Sequence, residues 1–393
     1  SSAASDVYKR QGLMTKKWSS RLTFFAFVVL MVGLGSNDSL RGIFSTIFQE
    51  HFSLTTTQLG LIVTASYIGN LVFLLVGGNL STRFSKKRVL QVLILIWMAA
   101  LALFAFTSNY MVLLIGMALA LGSSTLLNTT MNLITPLLFA TAPGFFVNFL
   151  FFTQEIGTSG SQYILGSHAD GFAFWQHTNL VLLILGAVAF VLLLFCNVPE
   201  EAAAPADAPA QKGGYDWRII VPYVLVFGFY FIAEHGVMNW MVAYGVDGLG
   251  LPQASAAKYL SVFFGGMMIG RLCLSPLVDK LGALKSLAAF GGVSCVLYLI
   301  GSLGGAVTMP VWAISGLSFS ILYPTLVMSI RLYFPAQQVS GAAGTILFNV
   351  GFGKLVDMTG YAVSIRVLPL SALAFFIVFI LFTKFCKPTQ KLK

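Results

Sequence analysis

The sequence predicts an all-α membrane protein of about twelve transmembrane helices in two six-helix, pseudo-symmetric halves. Three observations carry that prediction: a composition too apolar for water, a succession of apolar runs of spanning length, and a polar stretch near the middle with related features on either side.

The chain has 393 residues, of which 57% are hydrophobic and 9% charged, whereas a soluble domain carries about 25% charged residues. With 35 Phe among them, the apolar side chains exceed what one soluble core buries, so lipid or neighbouring spanning helices must cover the rest. Bases outnumber acids 23 to 13, a net charge of +10. In a bilayer protein this excess marks the cytoplasmic loops, so it reads as topology and not as a nucleic-acid partner. Cys196, Cys273, Cys295 and Cys386 lie in or beside apolar stretches and imply no disulfide framework. Residues 1–12 are small and polar with no apolar core, unlike a signal peptide. Met14 reads as a natural start, and residues 1–13 are left out of the fold expectation.

Runs of about 20 apolar residues fall roughly at 22–47, 57–80, 89–106, 110–138, 145–166 and 178–197, then at 219–246, 254–277, 284–303, 308–331, 340–357 and 366–386. Between the sets, the Ala- and Pro-rich stretch from Glu200 to Asp216 reads as a solvated linker. The expected domains are a tail at 1–21, a six-helix bundle at 22–197, a linker at 198–217, a second bundle at 218–386 and a tail at 387–393. An even number of spans puts both tails and the linker on one side. That side holds Lys16, Lys17, Arg21, Arg83, Lys86, Lys87, Arg88, Lys212, Arg218, Lys280, Lys285, Arg331, Lys384, Lys387, Lys391 and Lys393, while the opposite loops offer Lys258 and Arg366. By the positive-inside rule both termini are cytoplasmic in a multi-pass cell-membrane protein, in the inner membrane if the source is bacterial.

Slid against itself by about 197 residues, the sequence shows a weak repeat. Gly78-Asn-Leu-Ser-Thr-Arg-Phe-Ser-Lys-Lys-Arg88 lies over Ser275-Pro-Leu-Val-Asp-Lys-Leu-Gly-Ala-Leu-Lys285, Tyr67-Ile-Gly69 over Phe264-Gly-Gly266, and Asn37-Asp38 over Glu234-His235. The last match puts a polar pair in the first span of each half.

Two six-helix halves with a basic loop of the form G-x-L-x-D-R-x-G-R-K resemble the major facilitator superfamily. The first loop is a degraded copy, with Thr82 for the Asp and Ser85 for the second Gly, while the second keeps Asp279 and Gly282. Within the superfamily, Asn37-Asp38-Ser-Leu, Phe52-Ser-Leu-Thr, Gln58-Leu-Gly-Leu-Ile, Ala257-Lys-Tyr-Leu-Ser261, Ile269-Gly-Arg271 and Tyr323-Pro-Thr325 resemble the L-fucose:proton symporter family. The resemblance implies the major facilitator fold and solute transport, with Asp38 tied to proton coupling. It also implies a fourth-span Glu, where this chain offers Ser124 or Thr125, and a fifth-span Gln, where counting from Asn148 gives Phe151. The eleventh span, with Lys354 inside it, reads about seven residues shorter than the family's, as a deletion or a damaged gene would make it.

A charge at the centre of a spanning helix costs at least about 2.5–3.5 kcal/mol, so each one asks for a partner, a cavity or a function. Asp38 and Arg41 are three apart on one helical face and either form a local ion pair or leave Asp38 to alternate between proton and partner. Arg41 in a cavity would instead bind a carboxylate or phosphate. Glu155, with Gln154 beside it, and Glu234 are further proton-coupling candidates; Glu155 either replaces the missing fourth-span Glu or bonds a neighbouring helix. The expected substrate contacts are Asn37, Arg41, Asn128, Asn132, His235, Asn239, Trp240 and Tyr244. Asn128 and Asn132 share one face, as do His235 and Asn239, and Trp240 or Tyr244 would lie along the apolar face of a sugar ring. Helix association for the asparagines and packing or interfacial anchoring for the aromatics are the plainer readings. Arg83 and Lys87 are topology anchors or gating groups, and Arg271 with Asp279 would close a gate by a salt bridge.

The chain lacks a G-x-x-x-x-G-K-[ST] loop, so ATP is not expected to drive it, and its four His and four Cys are scattered. The expectation is a non-enzyme without cofactor or metal, whose partners are a small-molecule solute, protons and the lipid bilayer, with no nucleic acid, and which works as a monomer. The leading reading is proton-coupled symport of a small polar solute, a monosaccharide first among them, by alternating access. An organic-anion transporter using Arg41 and a membrane sensor that binds solute without carrying it stay open beside it.

Overall fold

The computed structural model describes residues 2–201, 215–335, 339, 342, 346 and 361–389. Among the described residues the elements are helices without a strand. They run α1 Ser2–Ile43, α2 Ser45–His51, α3 Thr56–Arg83, α4 Lys86–Phe106, α5 Tyr110–Leu138, α6 Pro143–His168, α7 Gly171–Leu194, α8 Trp217–Ala243, α9 Gln253–Cys273, α10 Ser275–Leu281, α11 Ala283–Leu303, α12 Met309–Phe319, α13 Leu322–Ser329 and α14 Tyr361–Phe385. Eight described helical stretches are long and apolar enough to cross a membrane, or nine if α9 and α10 form one bent span. Eleven of the twelve expected runs coincide with helices. The eleventh, 340–357 with Lys354, lies outside the described residues apart from Ala342 and Ile346, as does 202–214 of the linker. Residues 2–13, left out of the expected fold, continue α1 backwards as helix.

Helix ends follow local chemistry. Thr55 and Gln58 form a reciprocal capping box at the start of α3, and the side chains of Ser85 and Asn109 accept the first amides of α4 and α5. Pro276 has no N–H for the carbonyl of Leu272, so α9 ends there. The Ser275 hydroxyl takes that carbonyl instead, at 3.0 Å, and the chain turns by 52° into α10. Gly282, at φ +84°, makes the turn from α10 to α11, a conformation that suits glycine best.

By internal contacts the chain divides into two compact units, one of Ser1–Phe139 with Thr153–Glu201 and one of Ala140–Phe152 with Ala202–Lys393. In the first, α3 packs on α5, and α4 on α5 and α7; in the second, α8 packs on α14 and α9 on α12. Trp97 and Trp175 are buried in the first unit, and Trp312, Tyr230 and Tyr298 in the second. The outward faces carry exposed Val, Leu and Ile such as Val92, Leu95, Val181 and Ile184 on the first, and Val293, Val296 and Ile314 on the second. That is the inverse of a water-soluble surface and suits contact with lipid.

Where two helices must come closest, glycine removes the obstacle. In the first unit α1 and α6 meet backbone to backbone, because a Cβ on Gly157 would strike the carbonyl of Val32 and one on Gly35 that of Gln154. The gap is bridged by Ser36 Oγ donating to Gly157 O at 3.3 Å and Thr158 Oγ1 to Gly35 O at 3.1 Å. Gly157→Val is expected to force these helices apart at about 3 kcal/mol or more, since the clash is with main chain and no rotamer relieves it. Lower yield of monodisperse protein in detergent, with a lowered melting temperature, is the expected readout; an unchanged melting curve would refute the close contact.

Candidate functional site

In the first unit, the polar stretch of α1 lies beside α5. Asn37 is buried and Asp38 half-buried. Ser124 Oγ, itself buried, donates to Asp38 Oδ1 at 3.4 Å. Ser124 is one of the two residues, with Thr125, that the sequence offers where the resembled family has its second acid. The hydroxyls of Ser36 and Ser39 turn back onto their own helix, to Val32 O at 2.9 Å and Ser36 O at 2.8 Å. Arg41, one turn beyond Asp38, lies with its guanidinium 5.9 Å from the centre of the Tyr67 ring, within cation–π range.

A relay of amides joins α5 to α6. Asn132 Nδ2 donates to Asn128 Oδ1 at 2.8 Å, and Asn128 Nδ2 to Gln154 Oε1 at 2.9 Å. The far end, Asn132 Oδ1, is buried with no hydrogen-bond partner. An orphaned acceptor in a buried site is costly and asks for a donor. Glu155 is half-buried beside Gln154. The structure therefore brings Asn128 and Asn132 together as expected from their shared helical face, and adds Gln154, which sequence reasoning set aside as a neighbour of Glu155. Its signal is its place three residues beyond Phe151, on the same helical face as the expected family Gln.

At the α3–α4 turn the basic run is largely engaged. Lys86 is buried, pairs with Glu201 at 3.6 Å, and its backbone N–H donates to Glu200 Oε1 at 2.6 Å. Lys87 Nζ donates to Leu194 O at 3.2 Å and Cys196 O at 2.7 Å, so its charge sits at the negative end of α7. Arg83 is exposed at the end of α3. The first two residues of the expected solvated linker, Glu200 and Glu201, are thus held against α4; acids at a helix N-terminus beside a buried lysine are stabilised there.

In the second unit, Glu234 and Arg271 form a buried ion pair with an N–O separation of 3.9 Å. The Arg271 side chain is set by three sequence features. Gly270 leaves room against Ser320 and Leu317, so α9 lies close on α12. Pro324 has no N–H for the carbonyl of Ser320, which instead accepts Arg271 Nε at 3.3 Å. Phe151 lies under the guanidinium at 5.4 Å. Tyr230 lies a turn before Glu234 and is fully buried. Tyr323 stacks on it at 5.7 Å, and Tyr298 donates to Ala233 O at 3.1 Å.

Arg271 and Asp279 do not form the gating bridge expected of them. Arg271 pairs with Glu234 of α8, while the Asp279 carboxylate accepts the amides of Gly144 at 2.7 Å and Phe145 at 3.1 Å. Those amides are unpaired donors at the start of α6, where a carboxylate is favoured by both hydrogen bonding and the helix dipole. The 52° bend between α9 and α10, at Leu274, falls between the two residues. Tyr244 is half-buried in a π-helical turn, Tyr244–Gly248, edge-on to Trp312 at 6.4 Å. The side chains of His235, Asn239 and Trp240 lie outside the described residues. Sequence reasoning missed the role of Tyr230 and of the Ser320 carbonyl. The second was legible in Tyr323-Pro-Thr325, because a proline inside a helix frees the carbonyl four residues before it.

The sequence profile of the Major Facilitator Superfamily matches residues 22–356. The chain is 23% identical over 369 residues to the L-fucose-proton symporter of Escherichia coli K12, covering 82% of this chain and 83% of that protein. It is 26% identical over 371 residues to a glucose/galactose transporter of Brucella abortus, covering 87% of each, and 23% identical over 297 residues to the cis,cis-muconate transport protein of Acinetobacter baylyi, covering 70% of each. Its fold superposes on the outward conformation of the transporter FucP with a TM-score of 0.76 at 21% identity, covering 93% of this chain and 99% of that one. With the profile spanning most of its length and the helices in the matching fold, this chain belongs to the major facilitator superfamily.

Proposed function

We propose that the protein is a secondary transporter that carries a small polar solute of the monosaccharide class together with protons, by alternating access of its two halves, 22–197 and 218–386. One observation carries the reading: an acid, Asp38, is held within the first apolar helix beside a neutral hydroxyl, that of Ser124. A carboxyl in such surroundings can be carried neutral as well as charged, which a proton-coupled cycle needs. Glu155 and Glu234 are the secondary proton carriers, and Asn37, Asn128, Asn132, His235, Asn239, Trp240 and Tyr244 the solute contacts. The amide relay through Gln154 adds donors and acceptors of the kind sugar hydroxyls use. Two sugar transporters among the relatives support the solute class. Both termini lie in the cytoplasm on this reading, and a monomer suffices. The test is uptake of labelled fucose, glucose and galactose into proteoliposomes, where accumulation that needs an inward proton gradient is the expected result and equal uptake without it is fatal to the proposal.

A second reading, organic-anion transport, is favoured by the muconate-carrying relative and by Arg41 in the same helix as Asp38. Under it, Arg41→Gln lowers anion uptake by at least about thirtyfold, whereas a neutral-sugar symporter keeps uptake within about threefold. Parallel uptake curves for muconate and glucose in this variant separate the two.

A further inference from the structure

We infer that Arg271 and Glu234 form an exchangeable counter-ion pair that receives the carboxylate of a sugar acid; the inference rests on the transport reading above and names its substrate more closely. Arg271 is 3% exposed and Glu234 8%, and the two lie 3.9 Å apart in the second unit. A guanidinium does not give up its charge in a protein, whereas a carboxylate does when it binds a proton. Each proton taken by Glu234 therefore removes a negative charge from beside an arginine that stays positive. A buried cation then attracts any anion that can reach it, and a solute carboxylate offers the same planar pair of oxygens that Glu234 withdrew. Proton uptake and capture of an acidic solute become one event at this pair.

The surroundings suit a sugar acid better than a bare inorganic anion. Phe151 lies under the guanidinium and Tyr323 stacks on Tyr230, so the pair is bounded by aromatic rings, the side chains that line sugar-binding sites most often. Asn148 Oδ1, one turn from Phe151 on α6, and Thr325 Oγ1, two residues from Tyr323, are buried without a hydrogen-bond partner. Buried polar atoms left unpaired are the exception in proteins, and sugar hydroxyls would satisfy them. The ionisable groups facing Glu234 are Tyr230 on its own helix, Arg271 on α9, Tyr298 on α11 and Tyr323 on α13. From α14 comes Phe375, packed on Tyr230. The phenols stay neutral at ordinary pH, which leaves Glu234 as the group whose proton changes the charge around Arg271.

The test uses the full-length protein in detergent and two matched pairs of probes, D-glucose with D-glucuronate and D-galactose with D-galacturonate, each pair differing only at C6. Binding is measured calorimetrically at about pH 6 and about pH 8. Wild type is expected to bind one acid at least about tenfold more tightly than its neutral partner at the lower pH, with that preference shrinking at the higher. Glu234→Gln, which fixes the neutral state, should hold the acid as tightly at both, a gain of about tenfold at the higher pH that a merely structural glutamate would not produce. Arg271→Gln should erase the preference, and the charge-balanced double variant Glu234→Gln/Arg271→Gln should do the same if the single one folds poorly. Neutral sugars bound as tightly as their acids, or no gain in Glu234→Gln, overturn the inference. Its failure is separable from that of the transport reading: an acid that binds by this pattern but never accumulates with protons removes symport alone, and proton-driven glucose uptake without acid preference removes the counter-ion pair alone.

Discussion

Replacing Asp38 by Asn is expected to lower gradient-driven accumulation of solute by at least about 100-fold while leaving exchange of solute down its own gradient within about threefold. Asn keeps the shape of the side chain and a hydrogen bond with Ser124, so α1 should pack as before. What it loses is the ability to exist in a charged and a neutral form, and with it the link between the proton gradient and the turn of the transporter. The measurement is alkalinisation of the medium by cells given sugar, beside counterflow in proteoliposomes. Alkalinisation that survives in Asp38→Asn moves the proton to Glu155 or Glu234. Ser124→Ala should do far less, because at 3.4 Å its hydroxyl is a modest neutral bond to Asp38.

Arg271→Ala is expected to destabilise the protein by about 3–5 kcal/mol, as removing one partner of a buried pair strands the other. The loss has three sources, since the Ser320 carbonyl freed by Pro324 loses a donor and Phe151 loses its cation as well. Uncharging both partners together, in Glu234→Gln/Arg271→Gln, should recover most of that stability because no buried charge is left alone. Unfolding titrations with a denaturing detergent compare the three proteins. If Arg271→Ala unfolds at the wild-type midpoint, the pair is not buried in the working protein.

These expectations sit on different levels of the chain. The helices and their lengths were legible in the sequence because an apolar run near 20 residues has one stable form in lipid, with every backbone group satisfied inside its own helix. The local ends follow from residues close in sequence, Thr55 with Gln58, Pro276, and Gly282 between α10 and α11, although the expected run 254–277 passed through Pro276. That Asp38 asks for a partner, a cavity or a function came from the same physics, since an acid in such a run is expensive wherever the helix packs; its tie to proton coupling came from the family resemblance.

Pairing was not legible. Arg271 and Asp279 are eight residues apart and look like natural partners, yet the bend between α9 and α10 and the close approach of α9 to α12 at Gly270 send one to Glu234 and the other to the amides of α6. Lys87 read as a topology anchor or gating group and donates to the last carbonyls of α7, and Glu200 and Glu201 read as linker and prove to be held by α4. Gln154 joined Asn128 and Asn132 only through the tertiary meeting of α6 with α5. By itself the sequence determined which segments are helices and which charges ask for a partner, a cavity or a function, because these depend on solvation of each segment alone. The tertiary structure decided which charge meets which, because a side chain reaches only a few ångströms and its partner is chosen by where glycine and proline let the backbones come together.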